Sequence, residues 1–119
     1  MAIERVTGLG NINISQEAIA TLAGGVVSEC YGVVGMASQK VFKDGIAELL
    51  KKDNYARGVV VRNGENALEL DLYIIISFGV KISEVVTEVQ KKVKYVLEKT
   101  LELDEVLVNV YVQGVKVVD

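Results

Sequence analysis

Hydrophobic and polar residues change period several times along the chain, and each change marks an element. Asn11 to Ile14 alternates with period two, the pattern of a short half-buried strand. Ser15 follows at a helix N-cap position, and Ile19, Leu22, Ala23, Val26, Val27 and Cys30 then recur at helical spacing. Ile14 and Ile19 have the spacing of a hydrophobic staple across that cap. Gly24 and Gly25 lie inside the helix, each at a cost of about 1 kcal/mol relative to alanine, which points to close backbone packing. The helix ends near Tyr31 and Gly32, before an extended piece over Val33 to Ala37. Val41, Phe42, Ile46, Leu49 and Leu50 predict a second, shorter helix, with Lys43, Glu48, Lys51 and Lys52 on its other side.

Asp53 to Gly58 reads as a polar connection. Val59 to Arg62 then leads into Asn63-Gly64, the dipeptide best suited to the positive dihedrals of a type I′ hairpin. The second arm places Leu68, Leu70, Leu72, Ile74, Ile76 and Phe78 on one face and Glu69, Asp71, Tyr73, Ile75 and Ser77 on the other. After Gly79, a long amphipathic helix carries Ile82, Val85, Val86, Val89, Val93, Val96, Leu97 and Leu101 as its core stripe, with Ser83 as its cap. A final strand alternates through Val106, Val108, Val110 and Val112, with a kink or bulge at Gly114 before Val115 to Val118. The order β-α-β-α-β-β-α-β predicts an α+β two-layer sandwich: a mixed or antiparallel sheet of four to five strands, with about three helices mainly on one face. No linker or repeat divides residues 1–119, which read as a single domain with residues 1–9 as a flexible lead.

The sheet carries more apolar surface than that layout hides. Tyr73 to Ile76 and Val106 to Val108 are apolar on both faces, and one helix layer covers only one of them. Tyr73, Ile75, Leu107 and Tyr111 are therefore the candidate interaction face, with a homo-oligomer as the expected way of covering it.

Composition narrows the chemistry. Half of the 119 residues are apolar and 24% are charged, a globular balance, and the formal net charge of −3 offers no general attraction to nucleic acid or anionic lipid. No apolar run reaches the roughly 20 residues that span a bilayer. With one cysteine, no internal disulfide forms, and the opening MAIERVTGLGNINIS lacks the apolar centre of a signal peptide, so the expected location is the cytoplasm. Histidine is absent, removing the commonest general base, zinc ligand and pH switch together.

What remains has structural explanations. Cys30 sits on a buried stripe without a base to activate it. Glu69 and Asp71 share a strand face, where solvated alternation explains them better than a metal site. Gly8-Leu9-Gly10 is too short for a dinucleotide fingerprint, and Gly32-Val33-Val34-Gly35 matches the GXXG string of some RNA-binding loops but offers two valines where polar or basic residues are needed. Lys91, Lys92, Lys94 and Lys99 crowd the second half of the long helix while Glu84 and Glu88 occupy its first turns. That polarity complements the helix dipole; an anion or membrane-surface patch is the functional alternative, extended by Arg57 and Arg62 if the fold brings them alongside. No catalytic, cofactor-binding or metal-ligating residues are assigned.

Four blocks carry a family resemblance: GNINISQEAIATLAGGVV, CYGVVGMASQKVFKDGIAELL, YIIISFGVKISEVVTEVQKKVKYVLEKTL and VNVYVQGV. Taken in combination, they closely resemble the alkaline shock protein family of Gram-positive bacteria, over about Gly10 to Val118, and most of all its YloU-like branch of envelope stress response proteins. The resemblance implies a small cytoplasmic protein without catalysis, acting as a scaffold or adaptor in cell-envelope homeostasis. It also implies self-assembly, a membrane-anchored protein partner that would hold it peripherally at the membrane, and a fatty acid kinase-like protein as a further partner. The alternatives are an RNA-binding module, which the acidic balance disfavours, and an accessory subunit of that kinase-like enzyme.

Overall fold

The computed structural model describes residues 2–7, 10–41, 47–50, 52–63, 67–103 and 105–117. The chain runs through β1 (Ala2–Thr7), β2 (Gly10–Ser15), α1 (Gln16–Ser28), β3 (Val33–Val41) and β4 (Ala47–Leu49). A 3-10 helix (Lys52–Gly58) leads to β5 (Val59–Asn63), β6 (Leu68–Ser77), α2 (Ile82–Leu101) and β7 (Val106–Lys116). The class is α+β, as the sequence predicts. Among the described residues there are two α-helices and the 3-10 helix, where the sequence pattern predicts about three helices.

Strand β6 organises the five-stranded sheet. Strand β7 pairs with it in parallel over Leu68 to Ser77 and so occupies one whole edge. The other edge is shared by two antiparallel partners: β5 runs along Leu68 to Leu72, from the hairpin pair Asn63–Leu68, and β3 runs along Ile74 to Ile76. The turn residues of that hairpin, Gly64 to Asn66, lie outside the described residues. Strand β4 pairs with β3. The β1–β2 hairpin, registered from Ala2–Ser15 to Thr7–Gly10, forms a separate two-stranded sheet, so the segment read as a flexible lead contains a strand.

Within the second helix expected over Val41 to Leu50, the described residues Val41 and Ala47–Leu49 are strand residues instead. Val41 ends β3 and pairs with Ala47 of β4, while residues 42–46 lie outside the described residues. A short run of apolar residues satisfies helix and strand periods equally, and here strand pairing prevails.

Both helices lie on the face of β6 that carries Leu68, Leu70, Leu72, Ile74 and Ile76, which pack with Val106, Met36 and Val59 beneath Ile19, Ala23 and Val27 of α1 and Val85, Val89, Val93, Leu97 and Leu101 of α2. Fully burying each of these aliphatic side chains contributes roughly 1.5–3 kcal/mol. The stripe stops short at its start. Ile82 is half exposed, and Phe78 is 70% exposed because β6 ends at Ser77 and Gly79, at φ +96, turns the chain away.

Local signals hold at α1 and shift at α2. Ser15 caps α1 by accepting from the Ala18 amide at 3.0 Å. At α2 the N-cap is Lys81, whose carbonyl accepts from the Glu84 and Val85 amides, so Ser83 already lies in the first turn and cannot cap. The two helix glycines differ. A Cβ on Gly24 would sit 3.1 Å from Tyr55 Cβ of the 3-10 helix, whereas one on Gly25 would meet nothing within 4 Å. The expected bulge is a register shift in β7 between Val112, opposite Ile74, and Gly114, opposite Ile75.

Helix α2 also clamps the start of β7. The Val106 amide donates to Glu98 Oε2 at 2.9 Å, Lys94 Nζ donates to the Val106 carbonyl at 3.1 Å, and Gln90 Nε2 donates to the Val108 carbonyl at 3.0 Å. Lys94 also pairs with Glu98 at 3.2 Å. The Val106 amide, joined by the Lys94 ammonium and opposed by desolvation, holds the Glu98 carboxyl below its ordinary 4.5.

Two outcomes are expected from these features. Gly25→Ala stabilises the protein by about 0.5–1 kcal/mol in urea denaturation, while Gly24→Ala gains less because its methyl group meets Tyr55. Because the folded pKa of Glu98 is depressed, its contribution is present above the unfolded value of 4.5 and is lost as pH falls through the lower folded value. Glu98→Gln should therefore flatten the acid limb of stability against pH, measured by thermal unfolding; an unchanged limb would refute the clamp.

Candidate functional site

The strand faces turned away from both helices form one continuous surface. Register places Glu69, Asp71, Tyr73 and Ile75 of β6 opposite Leu107, Asn109, Tyr111 and Gly114 of β7, with Arg62 of β5 opposite Glu69. Period-two alternation produces this sorting, since the residues between them enter the core. All four residues of the expected interaction face therefore share this surface.

At its centre the Tyr73 and Tyr111 rings stack, with centroids 5.0 Å apart and planes 14° from parallel. The pairing is direct, residue opposite residue across a parallel ladder, and an offset aromatic pair adds about 0.5–1.5 kcal/mol beyond its buried area. Tyr111 is 45% exposed and Leu107 44%, while Ile75 is only 8% exposed. A Cβ on Gly114 would lie 3.3 Å from Ile75 Cδ1, so the glycine leaves room for the isoleucine side chain. Ile75 thus supports the surface more than it lines it.

Beside the rings is a compact polar cluster that the sequence pattern did not single out as a unit. Arg62 Nη2 donates to Glu69 Oε2 at 2.9 Å and to Asp71 Oδ1 at 2.7 Å, and Asn109 Nδ2 donates to the same two oxygens at 2.8 and 3.0 Å. Asp71 is buried, and these bonds supply the partners that a buried carboxylate requires. The hydrogen bond to Asp71 raises the Arg62 guanidinium above its usual value, with smaller contributions from the charges of Asp71, Glu69 and Tyr111. Two carboxylates against one guanidinium leave a net negative site next to the stacked rings. Only tertiary pairing aligns Arg62 with Asn109, 47 positions apart in sequence, although the alternating Glu69 and Asp71 were a usable signal.

The four lysines of α2 do not form one patch. Lys91 and Lys94 border a groove beside the start of β7, with Lys94 tied to Val106 and Glu98. Lys99 Nζ donates to the Tyr95 hydroxyl at 3.1 Å, and Lys92 acts electrostatically on Cys30. Arg62 is on the opposite face of the sheet, and Arg57 lies by Gln16 and Glu17, so neither extends the lysine row.

Burial pushes the Cys30 thiol up, only partly offset by Lys92, and its Sγ donates to the Val26 carbonyl. Val33 to Gly35 of the GXXG string belong to β3 and pair with β6, so this segment is a strand and not a loop. Among the described residues no cluster of three or more potential ligands could hold a metal ion, and no helix is long and apolar enough to cross a membrane.

Comparison with known proteins fits this picture at the level of family. Residues 4–117 match the alkaline shock protein 23 family, described as having a cell envelope-related function. The chain is 52% identical to the uncharacterized protein YloU of Bacillus subtilis over 98% of both chains. It is 48% identical to the uncharacterized protein Spy1614 of Streptococcus pyogenes, over 99% of this chain and 98% of the relative. Identity to the uncharacterized protein YqhY of Bacillus subtilis is 31%, over 92% of this chain and 80% of the relative. No solved structure matches the chain. From Glu4 to Val117, through the core strands, both helices and the stacked tyrosines, the chain belongs to the alkaline shock protein 23 family of proteins with a cell envelope-related function.

Proposed function

We infer that this protein is a noncatalytic scaffold or adaptor in cell-envelope homeostasis and stress response, working through the open face of its sheet. The observation that carries this reading is the Tyr73–Tyr111 stack, flanked by the half-exposed Leu107 on a face that neither helix covers. Tyrosine and arginine beside a small apolar centre are residue types enriched in protein-binding patches. The expected occupants are a second copy of the chain and a membrane-anchored protein, which would hold this protein at the membrane without a span of its own.

The net negative Arg62–Glu69–Asp71–Asn109 cluster gives that partner surface a chemistry: apolar against the rings, with a cation beside them. The residues on this face supply stacking area and fixed hydrogen bonds, with Glu69 and Asp71 both engaged by Arg62 and Asn109.

Light scattering after size exclusion, beside a native pull-down with mass spectrometry, tests the reading. Leu107→Glu and Tyr111→Ala, both at half-exposed positions, should leave the fold intact while abolishing the oligomer or the recovered membrane-protein partner. A wild-type protein that stays monomeric at high concentration and recovers no partner, or variants that recover the same assembly, would overturn it.

A further inference from the structure

A second group of exposed apolar side chains lies at the end of the molecule where β6 stops. Tyr31 is 83% exposed just past α1, Phe78 and Ile82 flank the turn from β6 into α2, and Val115 and Val117 stand at the end of β7. Two backbone bonds tie these segments together: the Ser77 amide donates to the Gly32 carbonyl and the Phe78 amide to the Lys116 carbonyl, each at 2.8 Å. Both turns run through a glycine of positive φ, Gly32 at +85 and Gly79 at +96. A Cβ on Gly32 would lie 2.6 Å from Val85 Cγ2, so the backbone there rests directly on α2 and Tyr31 is left outside. An apolar surface held this firmly loses little freedom when a partner covers it.

Tyr31 and Val80 line two grooves. The larger, of about 440 Å³, adds Val85 to their apolar lining and carries Lys81, Glu84 and Glu88 of α2. The smaller, of about 290 Å³, is completed by Val33, Val34 and Ser77. Two carboxylates against one ammonium leave the larger groove net negative. Lys81 Nζ lies 3.8 Å from Glu84 Oε1 with both side chains largely exposed, a contact worth little, and Glu88 has no hydrogen bond or ion pair among the described residues. Beyond the groove, Glu29 and Lys92 act on the Cys30 thiol with opposite sign and so leave that balance unchanged. The occupant must therefore bring apolar side chains with a cation beside them. A second copy of this end would set its own Glu84 and Glu88 against the same charges, and an anionic membrane surface would meet them too. A basic, apolar segment meets neither obstacle.

We propose that the two grooves beside Tyr31 and Val80 are a docking site for a basic, apolar segment of a partner protein. Its apolar side chains enter the grooves, and a lysine or arginine pairs with Glu84 and Glu88 at the start of α2. This end shares no residue with the open sheet face, and its occupation does not depend on what binds the stacked tyrosines.

Fluorescence anisotropy with two labelled ten-residue peptides tests it, one alternating leucine with lysine and the other leucine with glutamate. The lysine peptide should bind at least about tenfold more tightly than the glutamate peptide, with an affinity that falls as salt rises. Glu84→Gln combined with Glu88→Gln leaves Lys81 alone in the groove and should erase or reverse that preference. Tyr31→Ala should weaken binding of the lysine peptide at least about fivefold. All three side chains are exposed, so these variants keep the fold. Loss of binding in Tyr111→Ala rather than in Tyr31→Ala would put the peptide on the open face, overturning this site while leaving that one standing. Equal affinity for the two peptides, no binding, a preference unchanged by the two glutamine substitutions, or a dimer or an association with phosphatidylglycerol vesicles that Tyr31→Ala abolishes would each overturn the proposal as well.

Discussion

The parallel pairing of β7 with β6 is the constraint on which the rest of this fold depends. A parallel neighbour cannot be reached by a tight turn, so the chain must cross over, and α2 is that crossover. Because β7 takes one edge of β6 from Leu68 to Ser77, β5 and β3 are left to divide the other edge between them. The helix layer follows from the same requirement: α2 lies over Leu70, Leu72, Ile74 and Val106, and α1 completes the cover with Ile19, Ala23 and Val27. Among the described residues, both α-helices cover the same face.

That one-sidedness explains the composition of the other face. A purely apolar outer surface would invite nonspecific association, and a purely polar one would bind little. Strands β5, β6 and β7 instead combine a stacked tyrosine pair with a satisfied charge cluster. Arg62 is half exposed, so its bond to Glu69 contributes little to stability, whereas its bond to the buried Asp71 offsets the cost of removing a carboxylate from water. The cluster therefore fixes side-chain positions beside the rings more than it stabilises the sheet. Binding surfaces benefit from such order, because less entropy is lost when a partner arrives.

The edge of β7 obeys a different logic. There the exposed groups are backbone amides and carbonyls, and α2 decides their fate one helical turn at a time. Glu98, Lys94 and Gln90 are long enough to reach the strand; Thr87 and Ser83 are not. An edge that natural sheets normally blunt along its length is blunted here only as far as Val108.

Much of the architecture was legible in the sequence, and the physical reason is periodicity. The two-residue alternation of Leu68 to Ile76, the helical stripe from Val85 to Leu101 and the Ser15 cap are local patterns whose burial or bonding needs no knowledge of distant residues. The same alternation named Tyr73, Ile75, Leu107 and Tyr111 as a shared face. Where the pattern was short, as at Val41 to Leu50, strand pairing overrode the helical reading, and at Ser83 a shift of the helix start removed the expected cap. Long-range placement lay beyond any local pattern: the contact of Gly24 with Tyr55, the meeting of Arg62 with Asn109 over two carboxylates, the splitting of the lysine row, and the closing of half an edge by α2. Sequence by itself determined which residues seek burial and at what period, because those preferences belong to each residue and its near neighbours. Tertiary structure alone decided which surplus surfaces stayed open, because that depends on which strand takes which edge of β6.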